Sequence, residues 1–415
     1  MQIRPACLAA TLATVAVLRP SVADADGIGP FNIKSADGEW RLGVGLAVQL
    51  RYQLDATGID DDDGDVDSFV EARRIRPTLL GTLASSKLAY YLHLSTTPGS
   101  LEFMDFYLDY ALTPNLRARA GQWKIPFTRF RTGSFKNLTL VDWPITTLYF
   151  GAERQMGLAL HNGYEKAPDG LAYEAGIFTG TNARASHAVG LARLYGEKFD
   201  NPSSLSNPGP RADLHPELVA RAAYNMGQID TSTDTDWAGG PLRLSAGFSA
   251  AWDLDPDRYI DLALRLAPEA LMKLRGLSVA TVFYLGFVRR GDGVADQRLG
   301  LLGATFQSSY LFLRQLELSV RYSIVQVDSR VAGDARDRAA AIIAAEPGVE
   351  NKAALARQYD GAGQVRREHE AGVGLNVYLI GRSLKLQTDL SWLTHDSVDE
   401  RNSDLRLRAQ LQLTF

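Results

Sequence analysis

The chain has 415 residues, a formal net charge of −4, a hydrophobic content of 46% and a mean hydropathy of −0.13. These values exclude a bundle of membrane-spanning helices, which needs apolar runs of about 20 residues. They also exclude the strong basic surplus that is typical of nucleic-acid binding, so no nucleic-acid partner is expected.

The N-terminus has the composition of a secretory signal peptide. It has a basic start at Arg4, an apolar stretch over residues 6–18, and small residues at Ser21 and Ala23. This order of basic, apolar and small residues predicts a signal peptide over residues 1–23.

Two alternatives concern the same segment. Cleavage could instead follow Ala25, and an uncleaved membrane anchor is disfavoured because a span needs about 20 apolar residues. Cleavage after residue 23 removes two arginines, no acid and the single cysteine, Cys7, so the net charge falls from −4 to −6. We therefore expect an exported protein without disulfides.

Beyond residue 40 the dominant pattern is alternation of apolar and polar residues with a period of two. In WRLGVGLAVQLRYQL (40–54) every even-numbered position is apolar. Strands of soluble proteins average about 5–6 residues, whereas this segment is long enough to cross a bilayer at a tilt. Similar segments lie at 69–83, 87–97, 101–112, 116–124, 154–162, 170–180, 217–228, 241–253, 258–267, 277–290, 297–309, 314–327, 367–380, 384–395 and 404–415.

The connections between these sixteen segments alternate in length. Those that follow odd-numbered segments include all the long ones, at 55–68, 125–153, 181–216 and 328–366, and most of the others are short. Short periplasmic turns and long external loops are typical of outer-membrane barrels. A soluble β-rich protein is the alternative, but such a protein would not need long and short connections to alternate.

The fold class predicted from these patterns is all-β. Residues 40–415 are expected to form a transmembrane, antiparallel, up-and-down barrel of 16 strands, preceded by a periplasmic lead-in over residues 24–39. A barrel is required because every backbone group in hydrocarbon needs a protein partner. The predicted location is the outer membrane of a Gram-negative-type bacterium, with the apolar face against lipid.

If the apolar face meets lipid, the opposite face lines a lumen in which bases outnumber acids. Rings of Arg and Lys favour anions in pores, although some inward arginines could instead pair with inward acids and brace the wall. The candidate pore and anion-binding residues on the strands are Arg74, Arg76, Arg117, Arg119, Lys124, Arg321, Arg406 and Arg408.

The third external connection, residues 125–153 and here called loop 3, adds further candidates. It carries Arg129, Arg131 and Lys136 together with hydroxyl-bearing residues. Such groups could replace part of the hydration shell of an oxyanion, whereas simple surface placement is the alternative.

The first external connection is acidic. Asp61, Asp63 and Asp65 could hold a divalent cation through oxygen ligands, but a solvated acidic loop is the preferred interpretation. No cofactor is expected. The histidines are scattered and none lies in a nucleophile motif, so an enzyme or adhesin is disfavoured.

Four segments resemble the phosphate-selective porin O and P family over residues 69–160. They are EARRIRPTLLGTL, FMDFYLDYAL, LRARAGQWKIPFTR and GAERQMGLAL. The residues that match the family motifs are Arg73, Arg74, Arg76, Gly121, Lys124, Pro126, Phe127, Glu153, Arg154 and Gly157.

The resemblance implies a sixteen-stranded outer-membrane porin, usually a trimer, in which loop 3 folds inward and constricts the pore. It also implies conduction of small anions such as phosphate. In contrast to the basic entrance loops of the family, the first external connection here is a run of Asp. A less selective porin for cations, oligosaccharides or small organic acids therefore stays open as the alternative.

Overall fold

The computed structural model describes residues 31–60, 64–97, 100–151, 154–163, 169–180, 216–254, 262–289, 297–344, 364–397 and 401–415. The predicted signal peptide lies outside this part of the chain. The strands are β1 (Phe31–Lys34), β2 (Arg41–Thr57), β3 (Asp65–Thr82), β4 (Leu88–Thr97), β5 (Ser100–Thr113), β6 (Leu116–Lys124), β7 (Arg154–His161), β8 (Gly170–Phe178), β9 (Glu217–Met226), β10 (Arg243–Asp253), β11 (Leu262–Leu274), β12 (Leu277–Arg289), β13 (Gln297–Phe312), β14 (Leu316–Val327), β15 (Val365–Ile380), β16 (Leu384–Ser397) and β17 (Arg401–Thr414). The helices are α1 (Arg129–Thr132), a 3-10 turn (Phe135–Asn137), α2 (Thr146–Phe150) and α3 (Ser329–Ala344).

Strands β2 to β17 form a closed antiparallel ring. Each pairs with its neighbours in sequence, β17 pairs with β2, and β9 pairs with β10 without a break. The predicted barrel of 16 strands is thereby confirmed. Strand β1 is an addition that pairs with the start of β2, where Phe31 lies opposite Val44, just beyond the end of β17.

The wall is inverted relative to a soluble protein. Along β9 four of the five buried residues are polar or small, as at Glu217 and Arg221, whereas Leu218, Tyr224 and Met226 on the opposite face are exposed. The exposed apolar side chains continue around the outside of the ring and form the surface that meets lipid. Among the described helices, none is long and apolar enough to cross a membrane.

All sixteen predicted barrel segments correspond to observed strands, although some bounds differ. Strand β3 begins at Asp65 rather than 69, because exposed polar residues extend the β2–β3 hairpin. Strand β11 continues to Leu274, beyond the predicted end at residue 267 and through Pro268. Pro268 pairs with Phe248 of β10, and the ladder to β12 omits it, so its missing N–H leaves a local gap in that ladder.

The two ends of the barrel differ. At the end where β2 begins and β17 ends, most connections are short, for example residues 275–276 and 381–383, which marks this end as periplasmic. The exception is the connection between β9 and β10, residues 227–242. At the other end lies α3, in the connection between β14 and β15.

Candidate channel lining: loop 3 and the facing wall

Loop 3 joins β6 to β7 and is almost entirely buried. It contains α1, the 3-10 turn and α2, none longer than 5 residues. The Ser134 hydroxyl accepts the Lys136 N–H at the start of the 3-10 turn. Thr128 before α1 has a φ of 62°, a left-handed conformation that is uncommon for a β-branched residue and is stabilised here by contacts with the wall.

Inward side chains of the wall bind the backbone of loop 3. Lys385 and Gln387 of β16 donate to the Leu138 carbonyl at 2.9 and 3.0 Å. Asn376 of β15 donates to the Thr139 carbonyl at 2.9 Å. Buried backbone groups need partners, and here the partners come from the barrel wall. Loop 3 therefore lies inside the barrel.

The wall also provides space for side chains of loop 3. A Cβ at Gly303 of β13 would lie 2.6 Å from the Phe150 ring, which stacks on Tyr284 with centroids 4.9 Å apart. A Cβ at Gly372 of β15 would lie 2.9 Å from Leu140. These inward glycines form shallow pockets that receive Phe150 and Leu140.

Asp142 of loop 3 is the centre of an ion-pair cluster. Its carboxylate lies 3.1 Å from Arg51, 3.7 Å from Arg73 and 3.2 Å from Arg74. Burial raises the pKa of Asp142, but the Arg74 and Arg51 guanidinium groups lower it more, so this pKa lies well below its ordinary value. One carboxylate thus faces three arginines, and the cluster carries net positive charge.

Further cations lie over two aromatic rings of loop 3. The guanidinium carbons of Arg74 and Arg131 lie 5.1 and 4.5 Å from the centroid of the Trp143 ring, and the Lys124 ammonium lies 5.0 Å from it. Arg76 lies 4.9 Å from the centroid of Phe135. Aromatic faces attract cations, so the rings hold these groups together. We call Arg51, Arg73, Arg74, Arg76, Lys124, Arg131 and Asp142 the Asp142 cluster.

Two predicted residues of β6 lie in a separate group lower in the wall. Asp109 pairs with Arg117 and, at 2.7 Å, with Arg119, and it bonds His161 at 2.8 Å. Arg119 also lies over the Tyr107 ring at 4.1 Å. The Arg117 side chain is still 30% exposed, so it faces open space within the barrel.

The remaining predicted arginines are paired with acids. Arg321 pairs with Glu370 and donates to the Asp142 carbonyl at 2.8 Å. Arg408 pairs with Asp389 at 2.8 Å. Pairing of inward bases with inward acids, the alternative left open from the sequence, therefore applies to these residues.

Arg406 and Arg129 are paired in the same way. Arg406 binds Asp55 at 2.6 Å, across the seam between the last and first barrel strands. Arg129 of loop 3 binds Asp234 at 3.2 Å.

Lys136 differs from the other predicted residues. It lies in the 3-10 turn at the tip of loop 3, its side chain is exposed, and no ion pair of its ammonium is found within the described residues. Its carbonyl accepts a 3.1 Å bond from Gln412 of β17, which fixes its position on the wall.

Sequence reasoning missed several members of the site. Arg51 and Asp142 meet across 91 residues of sequence, and Lys385 meets Leu138 across 247. Inward glycines such as Gly303 and Gly372 were the available signal, because a strand that lacks a Cβ leaves room for a neighbour. Among the described residues, no group of three potential ligands could hold a metal ion. Asp61 and Asp63 of the suggested cation site lie outside the described residues.

Comparison with known proteins agrees with this architecture. The family model of phosphate-selective porin O and P matches residues 46–194. No curated protein matches the sequence.

Three solved structures have similar folds. The outer membrane channel DcaP of Acinetobacter baumannii has a TM-score of 0.54 at 13% identity, covering 92% of this chain and 99% of its own. Pseudomonas putida OprB has a TM-score of 0.56 at 11% identity, with 90% and 94% covered. The anion-selective porin from Comamonas acidovorans has a TM-score of 0.53 at 10% identity, with 91% and 100% covered. At such identities these likenesses show the fold alone. The match over residues 46–194 confirms the resemblance to phosphate-selective porin O and P, and the protein is an integral outer-membrane β-barrel.

Proposed function

We propose that this porin is an anion-preferring diffusion channel, with phosphate or other oxyanions among its solutes, and that loop 3 forms its basic constriction. The observation that carries the proposal is the Asp142 cluster, in which three arginines pair with the Asp142 carboxylate and three further cations lie over the Phe135 and Trp143 rings of loop 3. Rings of Arg and Lys in a pore favour anions.

The buried arginines and the exposed lysine contribute differently. Arg51 and Arg74 donate hydrogen bonds to Asp142 and to glutamine side chains. They therefore act on a solute through their charge rather than by contact. Low-dielectric walls focus such a field into the water that remains. Lys136 is exposed at the tip of loop 3, where its ammonium can meet a permeating anion directly.

A planar-bilayer recording of the purified protein tests the ion preference. We expect the reversal potential in a potassium chloride gradient to indicate anion preference, and phosphate to reduce the chloride current. A reversal potential that indicates cation preference would contradict the proposal and support the alternative of a cation-conducting or less selective porin.

Lys136→Glu tests the assignment of the constriction. Because Lys136 is exposed, the charge-reversed variant should fold. Its reversal potential should shift toward cation preference. Lys87→Glu is the matched control, since Lys87 is an exposed lysine in the short turn between β3 and β4. Equal shifts for the two variants would show that Lys136 has no special place in the permeation path.

The proposal includes a homotrimer, which the family resemblance implies. Mass measurement of the detergent-extracted protein, before and after chemical crosslinking, tests this state. A protein that remains monomeric at all detergent concentrations would contradict it.

A further inference from the structure

The connection between β9 and β10, residues 227–242, is the one long connection found at the periplasmic end within the described residues. We call it the inward turn. Loops normally run over the protein surface because their backbone polar groups need water. Here Ile229, Thr233 and Thr235 are buried, and Asp236 is only 1% exposed. The inward turn therefore enters the barrel.

Lys273 of β11 holds the first half of the inward turn. Its ammonium lies 2.6 Å from the Asp230 carbonyl, 2.8 Å from the Thr233 carbonyl and 3.1 Å from the Thr235 carbonyl. The Thr233 hydroxyl oxygen also lies 3.0 Å from the Lys273 ammonium. An ammonium has three donors, and here the chain curls around it so that four oxygens come within reach. The lysine fixes the curled shape of the turn.

The second half of the inward turn reaches distant strands of the wall. Thr235 donates to Glu317 of β14 at 3.1 Å, and the Trp237 ring packs edge-on against Tyr378 of β15 with centroids 4.5 Å apart. Strand β14 lies four strands from β10, which corresponds to roughly 19 Å of wall at the usual strand spacing. The turn therefore extends along the inside of the wall, well beyond the strands that it connects.

The inward turn meets loop 3 inside the barrel. Asn137 of loop 3 donates to the Ser232 carbonyl at 3.1 Å, and Arg129 of loop 3 binds the Asp234 carboxylate at 3.2 Å. Gln307 of β13 donates to the same carboxylate at 2.9 Å. Two connections that enter from opposite ends of the barrel are thus joined to each other and to the wall.

We propose that the inward turn is a second constriction element, which narrows the channel from the periplasmic side and holds the tip of loop 3 in place. The inference rests on the channel function proposed above. The turn occupies space inside the barrel, and it exposes Ser232 beside Lys136 at the tip of loop 3. Ser232 consequently lies beside the path of a permeating solute.

Thiol modification provides the first test. The single cysteine of the chain, Cys7, lies in the predicted signal peptide, so a new cysteine is expected to be the only thiol of the mature protein. We expect a bulky thiol-reactive reagent to lower the single-channel conductance of Ser232→Cys. Ser383→Cys is the matched control, because Ser383 is an exposed serine in a short turn at the same end. If mass spectrometry shows complete modification of Ser232→Cys and the conductance is unchanged, the proposal is wrong.

Deletion of residues 229–240 provides the second test. It leaves Gly227, Gln228, Pro241 and Leu242 between the strands, a length that is common for hairpin loops. The conductance should rise, and the anion preference should persist because the deleted segment contains three acids and no base. A folded deletion variant with wild-type conductance overturns the proposal. Loss of anion preference in the intact protein would instead contradict the proposed function, so the two failures can be told apart.

Discussion

At the scale of single residues, charge inside this barrel is organised around carboxylates that are each shared by several bases. Asp142 pairs with Arg51, Arg73 and Arg74, and Asp109 pairs with Arg117, Arg119 and His161. Burial of an unpaired charge is costly, so the acids are what allow so many cations to be packed together. The excess of positive charge that remains is available to act on solutes.

Asp142→Asn should therefore destabilise the folded barrel. The pKa of Asp142 lies well below its ordinary value, so the carboxylate is charged at neutral pH and the substitution removes a full negative charge. Removing one partner of a buried ion pair typically costs about 3–5 kcal/mol, and urea-dependent folding into vesicles would measure this loss.

Asp328→Asn is the control for this substitution. Asp328 pairs with Arg330, whose side chain is 70% exposed, and pairs of this kind contribute little to stability. If the two variants fold with equal free energies, the Asp142 cluster does not stabilise the barrel in the way its geometry indicates. An unchanged Asp142→Asn would contradict the role assigned to that carboxylate.

At the scale of elements, the strands could be predicted from sequence more completely than the connections. A period of two identified all sixteen barrel strands, because each strand faces lipid on one side and the lumen on the other. Strand β12 departs from this rule. Its inward residues Val282, Tyr284 and Val288 are apolar and buried, although they face the interior. Apolar residues on both faces indicate that something packs inside the barrel, and that element is loop 3.

Where loop 3 docks could not be predicted, because the docking contacts are distant in sequence. Phe150 enters the space left by Gly286 and Gly303, which lie on different strands, and no local pattern links them. The location of the inward turn could not be predicted for the same reason. Its Thr and Asp residues look like an ordinary solvated turn until Lys273 and Glu317 are placed beside them.

Gly303→Val should release the second half of loop 3. The new side chain would occupy the position of the Phe150 ring, since even a Cβ would lie 2.6 Å from it, and overpacking of this kind costs about 1–3 kcal/mol. We expect chymotrypsin to cleave the folded variant at Tyr149 or Phe150, which are fully buried when loop 3 is docked.

Gly333→Ala provides the matched control for proteolysis. A Cβ at Gly333 of α3 meets nothing within 4 Å, so this variant should be as resistant to chymotrypsin as the wild type. Resistance of Gly303→Val would mean that Phe150 is not needed to hold loop 3 against the wall.

At the scale of the whole molecule, the interior is divided between two kinds of wall. The inward faces of β11 to β14 contribute apolar residues, such as Leu271, Val282 and Leu301, that form a core with Phe127 and Phe150 of loop 3. The inward faces of β2, β3 and β6 instead carry the arginines of the Asp142 cluster and of Asp109. One side of the barrel therefore packs against loop 3 through apolar contacts, and the other side binds it through charged groups.

The outer surface shows the opposite arrangement to a soluble protein, because apolar side chains are exposed on it. Val320 lies near the middle of β14, is 48% exposed and points away from the buried Arg321 and Ser319 beside it in sequence. If this face meets hydrocarbon, Val320→Arg should reduce the free energy of folding into vesicles by about 2–4 kcal/mol, the cost of an arginine near the bilayer midplane. Leu313→Arg, in the turn between β13 and β14 where the side chain is 92% exposed, should cost only about 0–1 kcal/mol because it lies at the interface. Urea titrations of both variants in the same vesicles would measure the difference. Equal costs would mean that β14 does not cross the bilayer at the depth that its pattern of exposure indicates, and the boundaries of the lipid-facing band would have to be redrawn.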